Sequence, residues 1–295
     1  MRKITLSQQQ LQDIDYQHNT IGKSLTSIGK EYGIDRHIIA RELKANGYSY
    51  RESGNRYTTN HSIFKTIDSS EKAYWLGFLA ADGCNFRRRD GSNATIAFSL
   101  KEDDIEQVQK FANFMGSNNP IQYLEPVGFG NTKRVVRASI NSIEISNDLV
   151  KLGIVPRKSL ILQPPNIDSN FYLPYICGYF DGDGSIYKAN GNIWCFSFVG
   201  TKELLSWISN LSGYNFNLEQ KKSSIGKNTY SIRCGGSHKP YAFLKAMYDS
   251  VDNSICLQRK LQRFKEFETV VFARNGKDYQ PVNCWEPLRA LCATT

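Results

Sequence analysis

Asp82 and Asp183 stand where helix stability alone would not put an acid. Each closes a run of small and apolar residues, "YWLGFLAADGCNF" from Tyr74 and "YICGYFDGDGSIY" from Tyr175, so one pattern is written twice, 101 positions apart (74 to 175). A carboxylate in the last turn of a helix faces carbonyls that already carry partial negative charge. Gly83 and Gly184 follow at once, and glycine is the residue that most often ends a helix in the left-handed conformation. Gly77 and Ala81 are four apart, as are Gly178 and Gly182, which leaves each helix one stripe without bulk. Helices docked through those stripes bring Asp82 and Asp183 together across a two-fold axis, where mutual repulsion adds to each unfavourable helix end. A divalent cation resolves the conflict. Hard oxygen donors with room for water suit Mg2+, with Mn2+ as a substitute, and carboxylates around such ions clamp the attacking and leaving oxygens of phosphodiester hydrolysis.

The elements around the two helices follow from periodicity. Asp68 followed three residues later by Glu71 predicts the cap of a helix over 69–83. Ile96, Phe98 and Leu100 alternate with Thr95, Ala97 and Ser99, and Val136, Ala138 and Ile140 with Val135, Arg137 and Ser139, as half-buried strands do. Helical spacing fills "EDDIEQVQKFANFMG" between them and "SIEISNDLVKLG" after them. From Tyr175 the order returns: helix, strands near 185–190 and 193–200, helix "TKELLSWISNLSG", strands "NFNLEQ" and "NTYSIRC", helix "KPYAFLKAMYDS". The expected fold class is α+β, with two pseudo-twofold-related αββαββα repeats at 69–160 and 161–270.

Ahead of them, Leu25 to Tyr48 reads as two short helices broken at Gly33, with Ile28, Tyr32, Ile34, Ile38 or Ile39, and Leu43 at core spacing. Gly29 lets the helices approach, Asp35 caps the second, and its outer face offers Arg36, His37, Arg41 and Lys44 to the major groove or its phosphates. Thus 1–48 is a small all-α helix-turn-helix region, 49–68 a linker whose Arg51, Arg56 and Lys65 suit a path along DNA, and 271–295 a tail without a usable motif.

Charge agrees with a polyanionic partner. The 295 residues carry a net +9 with a pI near 9.1, on a globular composition of 40% hydrophobic and 12% aromatic residues, which excludes a disordered basic tail. Seven cysteines, odd in number and without a CxxC pair, disfavour a disulfide framework or a zinc ribbon and read as buried thiols of a reducing compartment. His18, His37, His61 and His238 form no metal pair. Without a signal-peptide core or a span of ~20 apolar residues, the expectation is a soluble, cytoplasmic protein with no membrane association.

At this point the residues resemble a known family. "WLGFLAADG" (75–83) and "ICGYFDGDG" (176–184) are similar to the paired motifs of the LAGLIDADG homing endonucleases, over residues 69 to about 268. The lead-in "FKTIDSSEKAYWLG" resembles that of members with an N-terminal helix-turn-helix. The resemblance implies that Asp82 and Asp183 bind metal, with Gly83 and Gly184 beside them. Ala80 departs from the motif's first aspartate, which Asp181 keeps. "PRKS" places Lys158 76 residues after Asp82 (82 to 158) and "QRKL" places Lys260 77 after Asp183 (183 to 260), matching lysines that in the family lie beside the scissile phosphates. Each sheet is then a saddle on the major groove, with Ser99, Arg137, Ser139, Lys188, Asn190, Ser231 and Arg233 towards the bases and Arg87, Arg88 and Arg89 towards the backbone. The implied activity is that of a monomeric, Mg-dependent endodeoxyribonuclease, cutting both strands of double-stranded DNA to leave short 3′ overhangs in intron homing. A catalytically inactive DNA-binding regulator and an intron RNA maturase are the alternative readings.

Overall fold

The structure is a computed structural model that describes residues 5–21, 23–49, 57–125, 133–214, 216–220, 227–277 and 279–280. The chain forms two compact units, Met1–Thr58 and Thr59–Thr295. Among the described residues no helix is long and apolar enough to cross a membrane.

Among its described residues the first unit holds three α-helices, α1 (Gln8–Asp15), which runs on into a π-helical turn (Tyr16–Thr20), α2 (Leu25–Tyr32) and α3 (Arg36–Ala45). Ser7 and Gln10 close a capping box on α1, a helix the apolar periodicity had not disclosed because only Leu11 and Ile14 are buried on it. Gly33 turns between α2 and α3 in the left-handed region (φ 66°), and the Asp35 side chain accepts from His37 N to cap α3. A Cβ on Gly29 would stand 2.5 Å from the Ile34 carbonyl, so glycine there lets the turn fold back on α2. Leu6, Leu11, Ile14, Ile28, Ile39 and Leu43 form the core, which settles the expected choice between Ile38 and Ile39.

The second unit contains the repeats. The first is α4 (Ser70–Asp82), β1 (Gly83–Arg87), β2 (Ala94–Lys101), α5 (Ile105–Phe114), β3 (Gln122–Leu124), β4 (Val135–Asn141) and α6 (Ile143–Lys151). The second is α7 (Tyr172–Asp183), β5 (Gly184–Ala189), β6 (Ile193–Gly200), α8 (Lys202–Ser212), β7 (Leu218–Gln220), β8 (Tyr230–Gly235) and α9 (His238–Asp249), followed by α10 (Gln258–Asn275), which runs across the boundary expected at 270. Each repeat makes one antiparallel sheet, ordered β1-β2-β4-β3 and β5-β6-β8-β7. Gly83 pairs with Phe98 and Gly184 with Phe198, so the sheets share a register relative to their leading helices. Helices cover one face of each sheet. Ile96, Phe98, Val136 and Ala138 are buried there while Ser99, Arg137 and Ser139 stay half-buried on the open side.

Two aromatic cores lie beneath the sheets: Trp75, Phe78, Phe98 and Phe111 in one half, Phe180, Phe196, Phe198 and Phe243 in the other. Phe64 is fully buried in this same core, so the end of the stretch expected as linker packs on the repeats. Ser69, not Asp68, caps α4 by accepting from Lys72 N; Asp68 instead pairs with the Lys72 ammonium at 2.9 Å. The expectation of left-handed glycines at the ends of α4 and α7 is also corrected. Gly83 (φ −76°) and Gly184 (φ −93°) are extended, and each helix passes straight into a strand. Glycine is required there for space: a Cβ would stand 2.6 Å from the Leu79 carbonyl in the first half and 2.5 Å from the Phe180 carbonyl in the second.

Helices α4 and α7 meet backbone to backbone. A Cβ on Gly77 would collide with the Tyr175 carbonyl, and one on Gly178 with the Tyr74 carbonyl, a reciprocal pair; a Cβ on Gly182 would collide with the Ala81 methyl. Because carbonyls cannot rotate away as side chains do, Gly77→Ala is expected to cost about 3 kcal/mol or more, and to lower the melting temperature by roughly 10 °C. Gly91→Ala, at φ 70° with open space around it, is expected to cost only about 1 kcal/mol. Thermal unfolding of the two variants beside the parent checks the difference; equal losses would mean that the helices separate readily.

Candidate active site at the paired helix ends

The close approach of α4 and α7 carries to their C-termini. Asp82 and Asp183 are the last residues of the two helices, and a Cβ on Gly182 would lie 3.2 Å from Asp82 Oδ2. Both carboxylates are exposed at the surface. Even so, packed protein displaces much of the water around Asp82, and this burial, with the Asp183 charge, pushes it up to about 6 against the pull of Lys260, Lys158 and Arg259. Among the described residues no cluster of three or more His, Cys, Asp or Glu side chains gathers as a metal cage. Two exposed carboxylates meeting at one point fit a hard cation that keeps most of its own water, as Mg2+ does. The glycines contribute less than the sequence suggested: the Gly83 carbonyl already accepts from the Lys158 ammonium at 2.6 Å.

Lys158 and Lys260 both arrive at these helix ends, from unlike elements. Lys158 opens a single 3-10 turn (Lys158–Leu160), preceded by Arg157 in the left-handed region at φ 60°. Its Nζ donates to the carbonyls of Ala81 (3.3 Å) and Gly83 (2.6 Å). Lys260 lies in the first turn of α10 and donates to the carbonyls of Phe180 (2.7 Å), Asp181 (2.7 Å) and Gly182 (3.0 Å). Each lysine is only 5% exposed. Burial lowers both, Lys260 to about 8, while Asp181 supports the Lys260 charge and Asp183 that of Lys158. An ammonium among the last carbonyls of a helix also offsets the negative end of its dipole.

Asp181 is fully buried. Its carboxylate accepts from the Tyr74 hydroxyl (2.6 Å) across the helix pair, from Leu257 N (2.8 Å) at the start of α10, and from the Tyr248 hydroxyl (3.3 Å). Gln107 in turn donates to Tyr74 Oη at 3.1 Å. Tyr74, Gln107 and Tyr248 were not foreseen. The tyrosine at the head of both motif copies was the available signal, but nothing local to Tyr248 or Gln107 points across the fold.

The open sheet faces receive some of the expected contact residues. Arg137 donates through Nε to Ser99 Oγ (2.8 Å), and Arg233 through Nε to the Tyr187 hydroxyl. Ser139 faces Gln122, and Ser231 faces the Glu219 carbonyl. Arg88 and Arg89 are exposed in the turn between β1 and β2. Arg87 is committed elsewhere, with Nε on Ser146 Oγ (2.7 Å) and Nη2 on Asn147. Lys188 lies over the Trp194 ring (4.8 Å) beside Arg263 (5.1 Å), on the side of the sheet that α10 covers, apart from Ser231 and Arg233. Asn190 sits in the hairpin turn of β5 and β6. Phe86 is 58% exposed on the outer face, a feature the reading of polar positions passed over. In the first unit Arg36, His37, Arg41 and Lys44 are exposed on α3, with Arg41 paired to Glu42 at 2.9 Å, and Lys65 is exposed in the second. Arg51 and Arg56, and most of the 271–295 tail, lie outside the described residues. Four of the five described cysteines are buried, and Cys84, beside the site, is exposed, contrary to the expectation of buried thiols.

The raised carboxyl of Asp82 gives a pH signature. Between about pH 6 and the ordinary aspartate value of 3.8 the folded chain holds a proton that the unfolded chain has released, so this group's contribution to stability improves as pH falls through 6 and is least favourable above it. Asp82→Asn is therefore expected to raise the melting temperature of the metal-free protein at pH 7.5 and to have a smaller effect at pH 5. Mg2+ is expected to stabilise the parent at pH 7.5, much less at pH 5, and not the variant. Melting curves over that range, with and without Mg2+, check both signs.

No protein-family model and no curated protein matches the sequence. Among solved structures the chain is similar to the LAGLIDADG homing endonuclease I-GzeII in complex with a DNA target, at 11% identity and a TM-score of 0.46, covering 76% of this chain and 97% of that one. It is likewise similar to I-LtrWI bound to target DNA, at 10% identity and 0.46 over 80% and 98%, and to the meganuclease I-AabMI bound to uncleaved DNA, at 14% and 0.43 over 74% and 97%.

Proposed function

We propose that this chain is a monomeric, site-specific endonuclease that hydrolyses both strands of double-stranded DNA with a divalent metal ion, Mg2+ in the first place. The observation that carries the reading is the meeting of Asp82 and Asp183 at the exposed ends of two helices packed too closely for any side chain between them. A fold gains nothing from that placement unless a cation joins it. When bound there, the ion supplies charge stabilisation to a transferring phosphoryl group and acidifies water.

The remaining work falls to the chain's own residues. Each helix end opens directly into a sheet whose outer face carries hydroxyls and a braced arginine, Arg137 in one half and Arg233 in the other. Two such faces flanking one acidic point suit a duplex laid over both sheets, with its phosphates brought to the carboxylates from either side. The ammonium groups of Lys158 and Lys260 offset the carbonyls and acids gathered at the helix ends. The exposed basic face of α3 extends recognition as a helix-turn-helix, and the sequence resemblance to the homing endonucleases supplies the expectation of short 3′ overhangs and intron homing. A catalytically inactive regulator on this fold would have no use for paired acids at the helix ends, while an RNA maturase remains the alternative partner reading.

The reading is tested by incubating the protein with a randomised duplex library in Mg2+ and sequencing the new ends, with Ca2+ as the control ion. Paired breaks at one motif are expected. Asp82→Asn and Asp183→Asn should each slow cutting by roughly a hundred- to a thousandfold while duplex binding persists. Bound duplex without breaks, indifferent to both substitutions, would leave a binding protein; selective capture of structured RNA instead would favour the maturase.

A further inference from the structure

The two lysines occupy matching places yet are not equally committed. An ammonium has three N–H donors and no acceptor. Lys260 directs three hydrogen bonds at three consecutive carbonyls, those of Phe180, Asp181 and Gly182, all within 3.0 Å. Lys158 makes two, one of them at 3.3 Å, to Ala81 and Gly83. The positions also differ along the helix. By the register of the twin motifs, Gly83 corresponds to Gly184, so Lys158 reaches out to the first strand residue while Lys260 stays among residues that precede Asp183.

The cause of the difference is one residue. Asp181 is buried beside Lys260, and its corresponding position in the first half is Ala80. The carboxylate also holds Leu257 N, the cap of α10, which carries Lys260 in its first turn. It therefore draws Lys260 inward twice, by charge and by fixing the helix that presents it. Asp183 supports the Lys158 charge, but among the described residues no buried carboxylate fixes the 3-10 turn that carries it, which follows the left-handed Arg157. We infer that Lys158 is the lysine whose ammonium serves the reacting phosphate or water, and that Lys260 is a positioning residue, locked by Asp181 as the cap of α7. The assignment of Lys158 rests on the nuclease reading above; the locked state of Lys260 does not.

The stability part is measured without DNA or metal. Lys260→Met strands the buried Asp181 charge and three carbonyls, and is expected to lower the melting temperature by roughly 10 °C or more. Lys158→Met is expected to lower it by less than half as much. The paired substitution Asp181→Asn with Lys260→Met removes the unpaired charge, while the amide oxygen introduced in place of the carboxylate can still accept from Leu257 N, so most of the loss should return. Equal losses for the two single variants, or no recovery in the pair, would overturn the lock.

The catalytic part uses the target duplex recovered with the parent enzyme, under single-turnover conditions. Lys158→Met should slow cutting at least a hundredfold with duplex affinity retained. The doubly substituted chain, which folds if the lock is real, should slow it by tenfold or less. A folded double variant as slow as Lys158→Met would make Lys260 an equal partner in the chemistry and overturn the division of roles. A parent that cuts no duplex sinks the nuclease reading and the role of Lys158 with it, while the melting experiment still decides the lock.

Discussion

The structure depends on two glycines lying against two carbonyls. Gly77 against Tyr175 and Gly178 against Tyr74 bring α4 and α7 closer than helices with ordinary side chains can come, and everything at their C-termini follows from that distance. It sets Asp82 beside Asp183, where each feels the other's charge. It also obliges the fold to bring cations to the helix ends from outside the repeats' helical pairs, since the last carbonyls and the two acids point the same way. Lys158 and Lys260 meet that obligation from elements that share no secondary structure, which marks the electrostatics of the helix ends, and not the local fold around each lysine, as the common requirement.

The sheets are arranged around this centre so that one face of each is free. Alternation along β2 and β4 commits Ile96, Phe98, Val136 and Ala138 to the aromatic core and leaves Ser99, Arg137 and Ser139 outside. The second half does the same with different chemistry. Arg137 stands opposite Ser99, one rung to the helix side of the Gly83 pairing, whereas Arg233 stands opposite Ser197, one rung to the strand side of the Gly184 pairing. The two faces are related by fold and not by side chain.

Much of this was legible in the amino-acid order because it is written as repetition and period. The doubled motif announced the helix pair, strict alternation announced β2 and β4, and Gly33 with Asp35 announced the turn in the first unit. What stayed hidden depends on long-range contact. α1 buries too little of its surface to show a stripe, and the carboxylate of Asp181 finds Tyr248 and Leu257 N only once α9 and α10 have packed. Arg87 looked like its neighbours Arg88 and Arg89 until α6 supplied Ser146 and Asn147. The glycines after the aspartates were placed correctly for a mistaken reason: glycine can end a helix by turning left-handed or by making room, and residue type alone does not distinguish the two.

The hydrogen bond from Tyr74 to Asp181 joins the repeats in one direction only. A chain built from two copies of the first half would set Ala80 where Asp181 stands, and the Tyr74 hydroxyl would be left inside the protein with Gln107 alone. The halves have thus become complementary instead of interchangeable. Only the second half carries both the motif tyrosine, Tyr175, and the buried carboxylate, so the two halves contribute unequally to the bond that ties them.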